Sequence, residues 1–145
     1  MKARHTKDVI GASIILAASG ILKIEAAVSQ PGMAQAFDRI LEVDRQTVFV
    51  GVGLLEVVIC LVILLAAQRV WTYGLLAWIG GCFVIYRSLR WYIGDNSPCG
   101  CLGRIESVFR LSPASAELIS VCLLATLLAI AGHGLWREMV RARLP

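Results

Sequence analysis

From Val48 to Ala67 the chain is apolar throughout except for one charge, Glu56. In lipid every backbone N–H and C=O must be satisfied within the segment, and a helix of about 20 residues does this while spanning the hydrocarbon core. Three further stretches approach that length, Val9–Val28, Val70–Leu89 and Ala114–Trp136. The whole chain is 58% hydrophobic and 17% charged over 145 residues, above the apolar content of about 45–50% of soluble proteins. The expectation is an all-α integral membrane bundle of four transmembrane helices, forming a single domain over residues 1–145.

The spans carry different signals. The first has Gly11, Ala12, Ser13, Ala17, Ala18, Ser19 and Gly20, small residues that let helices approach closely. Its basic start resembles a signal peptide, but the run is longer than an ordinary h-region and holds Lys23 and Glu25, so an uncleaved span is expected. The third places Trp71, Tyr73 and Trp78 early and Tyr86, Trp91 and Tyr92 late, as aromatic belts at two interfaces require. Before the fourth, Ser112 is placed to cap and Pro113 to occupy the first helical turn.

The connections differ as well. Gln30-Pro31-Gly32 breaks the first helix, and Met33, Phe37, Ile40, Leu41 and Val43 then recur as a short amphipathic helix at the interface would have them. Gln68-Arg69 leaves room only for a tight hairpin between the second and third spans. Residues 90–113 form the longest connection. With an even number of spans both termini share one side. Lys2, Arg4, Lys7, Arg137, Arg141 and Arg143 cluster there, which makes it the inner side and places the 90–113 loop outside.

That loop holds Ser97-Pro98-Cys99-Gly100-Cys101-Leu102-Gly103. Residues two apart lie roughly 7 Å apart when extended, whereas a disulfide wants a Cα separation of about 4.4–6.8 Å. A bridge between Cys99 and Cys101 needs a sharp bend at Gly100, where glycine bends at least steric cost. A ring so small is strained and hence oxidising, a profile for disulfide exchange. Three other readings stand beside it: a structural or intermolecular disulfide, half of a metal site, and inert thiols. No metal is expected, because residues 88–114 contain no further Cys and no His and a closed zinc site needs about four ligands. Cys60, Cys82 and Cys122 lie singly in three spans, where cysteine is commonly a small buried hydrophobe.

Charges within spans are costly and mark functional candidates. Lys23 and Glu56 fall at compatible depths for an ion pair, and Glu25, Arg87 and Glu117 lie near the same outer level. One reading is a polar cluster of Lys23, Glu56, Arg87 and Glu117 under the dithiol loop that supports thiolate formation or proton movement. The other is a packing clamp of Lys23 and Glu56 with the remaining carboxylates turned to water. Ser/His/Asp arrangements and phosphate-binding glycine loops are absent, which leaves hydrolase and nucleotide-dependent activities without support.

The order of these features resembles the methylamine utilisation protein MauE family, within a DoxX-like group of small four-helix membrane proteins. The matching pieces are Gly20-Ile21-Leu22-Lys23, a connector with Phe37, Glu56 in the second span, and Cys99-Gly100-Cys101-Leu102-Gly103. The chain departs from the family pattern at Leu102, where Phe is usual, and at Gly53, where proline is common. The resemblance implies a bacterial inner-membrane protein with a periplasmic dithiol, working beside a thioredoxin-like partner in the maturation of a disulfide-rich enzyme such as methylamine dehydrogenase.

The expected function is thus thiol–disulfide exchange through Cys99 and Cys101, with Gly100 and Gly103 shaping the turn. A membrane quinone is one candidate for the electron acceptor, although quinone-coupled thiol oxidases normally carry two cysteine pairs. The rival is a non-catalytic assembly factor or scaffold whose cysteine pair is structural. A small-molecule carrier built on Lys23 and Glu56 is a weaker third, since these charges lie toward one face. Small residues in the first span also suit a homo- or hetero-oligomer.

Overall fold

A computed structural model describes residues 2–29, 37–66, 71–94 and 112–143. They form four helices, α1 (Lys2–Ser29), α2 (Arg45–Leu65), α3 (Trp71–Tyr92) and α4 (Pro113–Arg143). Two short strands, β1 (Phe37–Asp38) and β2 (Val43–Asp44), lie between α1 and α2. The all-helical expectation therefore holds. Among the described residues α1, α2 and α4 are long and apolar enough to cross a membrane. α3 has 22 residues but is not among them. Trp71, Tyr73, Trp78, Tyr86, Arg87 and Arg90 dilute its mean hydropathy.

Local chemistry explains where the helices start. Asp44 caps α2, its carboxylate accepting from Thr47 N at 2.7 Å and from Thr47 Oγ1 at 2.9 Å. Ser112 caps α4 as expected: its Oγ accepts from Ser115 N at 3.2 Å, while its carbonyl accepts from Ala116 N at 3.0 Å. Pro113 then occupies the first position, where a missing N–H costs nothing.

The tightest packing is between α1 and α2, followed by α3 against α4, with α1 touching α4 and α2 barely meeting α3. Glycines set this arrangement. A Cβ on Gly20 would lie 2.7 Å from the Gly53 carbonyl, and one on Gly53 would lie 2.7 Å from the Gly20 carbonyl, so the two backbones meet at a point only glycine fits. On the other side Gly134 lies against the Tyr73 ring, where an added Cβ would come within 2.3 Å. The link of the expected tight hairpin, residues 67–70, lies outside the described residues; of the helices it joins, α2 gives its glycine seam to α1 and packs only lightly on α3. Val9, Leu16, Ile63, Leu76, Leu127 and Ala131 join the four helices in one core. Leu54, Leu65, Ile85, Trp91, Leu118 and Trp136 stand on the outside, as lipid-facing residues do.

The amphipathic helix expected over Met33–Arg45 does not form in its described part, residues 37–45, up to the start of α2 at Arg45. Phe37 pairs with Asp44 and Asp38 with Val43 in an antiparallel hairpin. Asp38 is the reason. Its Oδ1 accepts from Ile40 N at 2.9 Å and Leu41 N at 3.0 Å, its carbonyl accepts from Glu42 N at 2.9 Å, and Glu42 takes a positive φ of 55°. An aspartate that satisfies nearby backbone donors favours a turn over a helix interior. Residues 30–36 are outside the described residues.

Candidate functional site

The centre of the bundle holds an ion pair. Lys23 on α1 and Glu56 on α2 are 5% and 0% exposed, and Lys23 Nζ lies 2.6 Å from Glu56 Oε1. Ser19, one turn before Lys23, accepts from Nζ at 2.6 Å and reaches Glu56 Oε1 at 3.4 Å. Nζ also stands 5.1 Å from the centroid of the Phe83 ring on α3. The glycine contact and the ion pair share a spacing, since Gly20 and Lys23, like Gly53 and Glu56, are three residues apart on their helices. A Cβ on Gly20 would lie 3.1 Å from Glu56 Cβ, so the close backbone approach is also what admits the carboxylate.

A second pair lies nearer the surface. Arg87 on α3 donates to Glu117 Oε1 on α4 at 2.6 Å and to Ser120 Oγ at 3.2 Å. Glu117 is largely exposed, with a side-chain exposure of 66%, which makes this pair a weak contributor. Lys23, Glu56, Arg87 and Glu117 thus form two separate pairs. What joins them is a cleft of about 90 Å3 among the four helices, walled by Lys23, Glu56, Tyr86, Arg87 and Ser120 together with leucines of α1 and α4. A second cleft, of about 160 Å3, opens on the other side of Phe83 and Tyr86, against α2 and the hairpin.

The hairpin is anchored on the same helix. Asp38 is 3% exposed and accepts a short hydrogen bond from the Tyr86 hydroxyl, with the buried Arg90 adding its charge nearby. Burial pushes the Asp38 carboxyl up, but the Tyr86 hydroxyl, the Leu41 and Ile40 amides and the Arg90 charge together hold it below its ordinary value of 3.8.

Cys99, Gly100, Cys101 and Gly103 lie outside the described residues. Of the other cysteines, Cys60 is buried with its thiol 3.3 Å from the Ser13 carbonyl, and Cys82 and Cys122 are exposed; all three are free. Among the described residues no three His, Cys, Asp or Glu side chains converge as metal ligands do.

Sequence reasoning found Lys23 with Glu56 and missed Ser19, Phe83 and the Asp38–Tyr86–Arg90 anchor. Ser19 was detectable, being four residues before Lys23 and so on the same helical face. Asp38 carried a weaker signal, that aspartate within a short apolar connector favours a turn. Phe83 carried none, because an aromatic in an apolar span has no preferred partner.

The family model for methylamine utilisation protein MauE matches residues 8–137, a stretch that takes in α2, α3 and most of α1 and α4. No curated protein and no solved structure matches the chain.

Proposed function

The chain belongs to the MauE family, membrane proteins of methylamine utilisation, and from that premise we propose that it exchanges disulfides with a thioredoxin-like periplasmic protein through Cys99 and Cys101. The observation that carries this reading is the Cys99-Gly100-Cys101 sequence in the connection between α3 and α4. The helices that this connection joins are packed together at their other ends by Gly134 against Tyr73. In the exchange, the thiolate of one cysteine attacks a partner disulfide, a mixed disulfide forms and one partner thiolate leaves. The second cysteine then attacks the first, closing Cys99–Cys101 and releasing the partner as a dithiol. The reverse sequence oxidises the partner. In either direction Lys23, Glu56 and the Arg87–Glu117 pair serve as a supporting polar layer.

In this proposal all four helices span the bilayer. At 1.5 Å per residue α3 is about 33 Å long, sufficient for the hydrocarbon core. Both termini are cytoplasmic, matching the basic residues at the N-terminal end of α1 and the C-terminal end of α4. The 90–113 connection is then periplasmic, where disulfides persist. The membrane is the bacterial inner membrane.

The deciding experiment is thiol trapping of Cys99 and Cys101 in membranes with an impermeant reagent, across a graded redox buffer. Titration between roughly −270 and −120 mV, with labelling from the periplasmic side, is the expected result. A pair that stays oxidised below about −300 mV is a structural disulfide. That result refutes exchange and leaves a non-catalytic assembly scaffold, which survives the double change Cys99→Ser/Cys101→Ser.

A further inference from the structure

The two clefts share three walls, Lys23, Phe83 and Tyr86. The larger is otherwise apolar. An ammonium group has three protons to donate. Ser19 Oγ and Glu56 Oε1 take two of those on Lys23, which leaves one for a ligand, and Nζ stands 5.1 Å from the centroid of the Phe83 ring, a wall of both clefts. A polar donor at the base of an apolar cleft is the pattern of a ligand site, with the apolar walls giving affinity and the donor giving orientation.

The chemistry of the walls narrows the ligand. Glu56 already neutralises Lys23, so a carboxylate or phosphate entering the cleft would bring an uncompensated negative charge next to a fully buried carboxylate, at high cost. A neutral acceptor meets no such cost. Phe83 and Tyr86 offer aromatic surface on both sides, suited to a flat ring in offset or edge contact. At about 160 Å3 the larger cleft takes a ring rather than a complete lipid, so a tail must lie along Val52 and Leu55 toward the bilayer.

We propose that the cleft between α2, α3 and the hairpin binds the ring of a lipid-soluble quinone, one carbonyl oxygen accepting from Lys23 and the ring lying against Phe83 and Tyr86. Its binding follows from these walls alone. Its use as the oxidant for the dithiol rests on the exchange reading above. Closing Cys99 and Cys101 to a disulfide releases two electrons and two protons, and these reduce the quinone to its quinol.

The test uses the full chain in detergent, with a decyl-tailed benzoquinone as the probe and the midpoint of thermal unfolding as the readout, since a ligand bound only by the folded state raises it with concentration. Decylbenzene and dodecanoate are run alongside. Saturable stabilisation by the benzoquinone alone is expected. An azido derivative of the same quinone should crosslink within residues 79–86 of α3. Phe83→Leu and the double change Lys23→Met/Glu56→Leu, which removes the donor together with the carboxylate paired with it, should each weaken binding at least tenfold. Cys99→Ser/Cys101→Ser should bind as the unaltered chain does, which separates failure of the site from failure of the exchange reading. Equal stabilisation by decylbenzene means nonspecific partitioning, and preference for dodecanoate means an anion site. Either result, a crosslink elsewhere, or undiminished binding by Phe83→Leu overturns the proposal.

Discussion

Changing Lys23 and Glu56 singly and together separates a coupled buried pair from two independent side chains. The Nζ–Oε1 distance is 2.6 Å, and the two side chains are 7% and 1% exposed. Lys23→Met takes from the buried Glu56 carboxylate the ammonium that stands 2.6 Å from its Oε1. Glu56→Leu leaves the Lys23 ammonium with Ser19 and the Phe83 ring face. Stranding one buried charge costs about 3–5 kcal/mol, so each single change should destabilise by about that much. In Lys23→Met/Glu56→Leu both members of the pair are removed together, and replacing such a pair by apolar side chains is often neutral or stabilising. The double variant is therefore expected within about 1 kcal/mol of the unaltered protein, a bound set by the volume mismatch of the new side chains. Reversible unfolding in mixed micelles, followed by helical circular dichroism, measures all four corners of the cycle. If the double variant loses the sum of the two single losses to within about 0.5 kcal/mol, the residues are not coupled and the account of the pair is wrong.

Gly20→Ala should cost about 1–3 kcal/mol, because its Cβ meets the Gly53 carbonyl at 2.7 Å and a backbone oxygen cannot rotate away. Gly11→Ala, with open space around it, should cost nothing measurable in the same unfolding assay. The depressed Asp38 carboxyl stabilises the folded chain at every pH above its ordinary value of 3.8, and this contribution is lost as pH falls through the lower folded value. Thermal unfolding followed from pH 7 to pH 3 should show this acid loss, and Asp38→Asn should abolish that part of the profile. N-Ethylmaleimide in detergent should modify Cys82 and Cys122 well before Cys60, which reacts only on unfolding; mass spectrometry of the labelled peptides at early times decides it.

The sequence by itself determined that this chain is a helical membrane protein. Twenty apolar residues in lipid have no alternative to a helix, because no water is present to satisfy the backbone. It also made a Lys23–Glu56 pair an expectation, since opposite charges at compatible depths in a span reduce each other's cost. Ser112 and Pro113 announced the start of α4 for an equally local reason. What only the tertiary structure decided is which helix faces which. Hydropathy says that a helix is buried in lipid but leaves its rotation and its partner undefined, whereas the α1–α2 contact needs Gly20 and Gly53 at one crossing point, a property of two helices at once. For the same reason Arg87 and Glu117 pair away from Lys23 and Glu56 although all four lie at similar depth. The Phe37–Asp44 hairpin has an apolar spacing that also suits a helix. Asp38 tips the balance because Tyr86, distant in sequence, stands ready to bond the carboxylate that the turn presents.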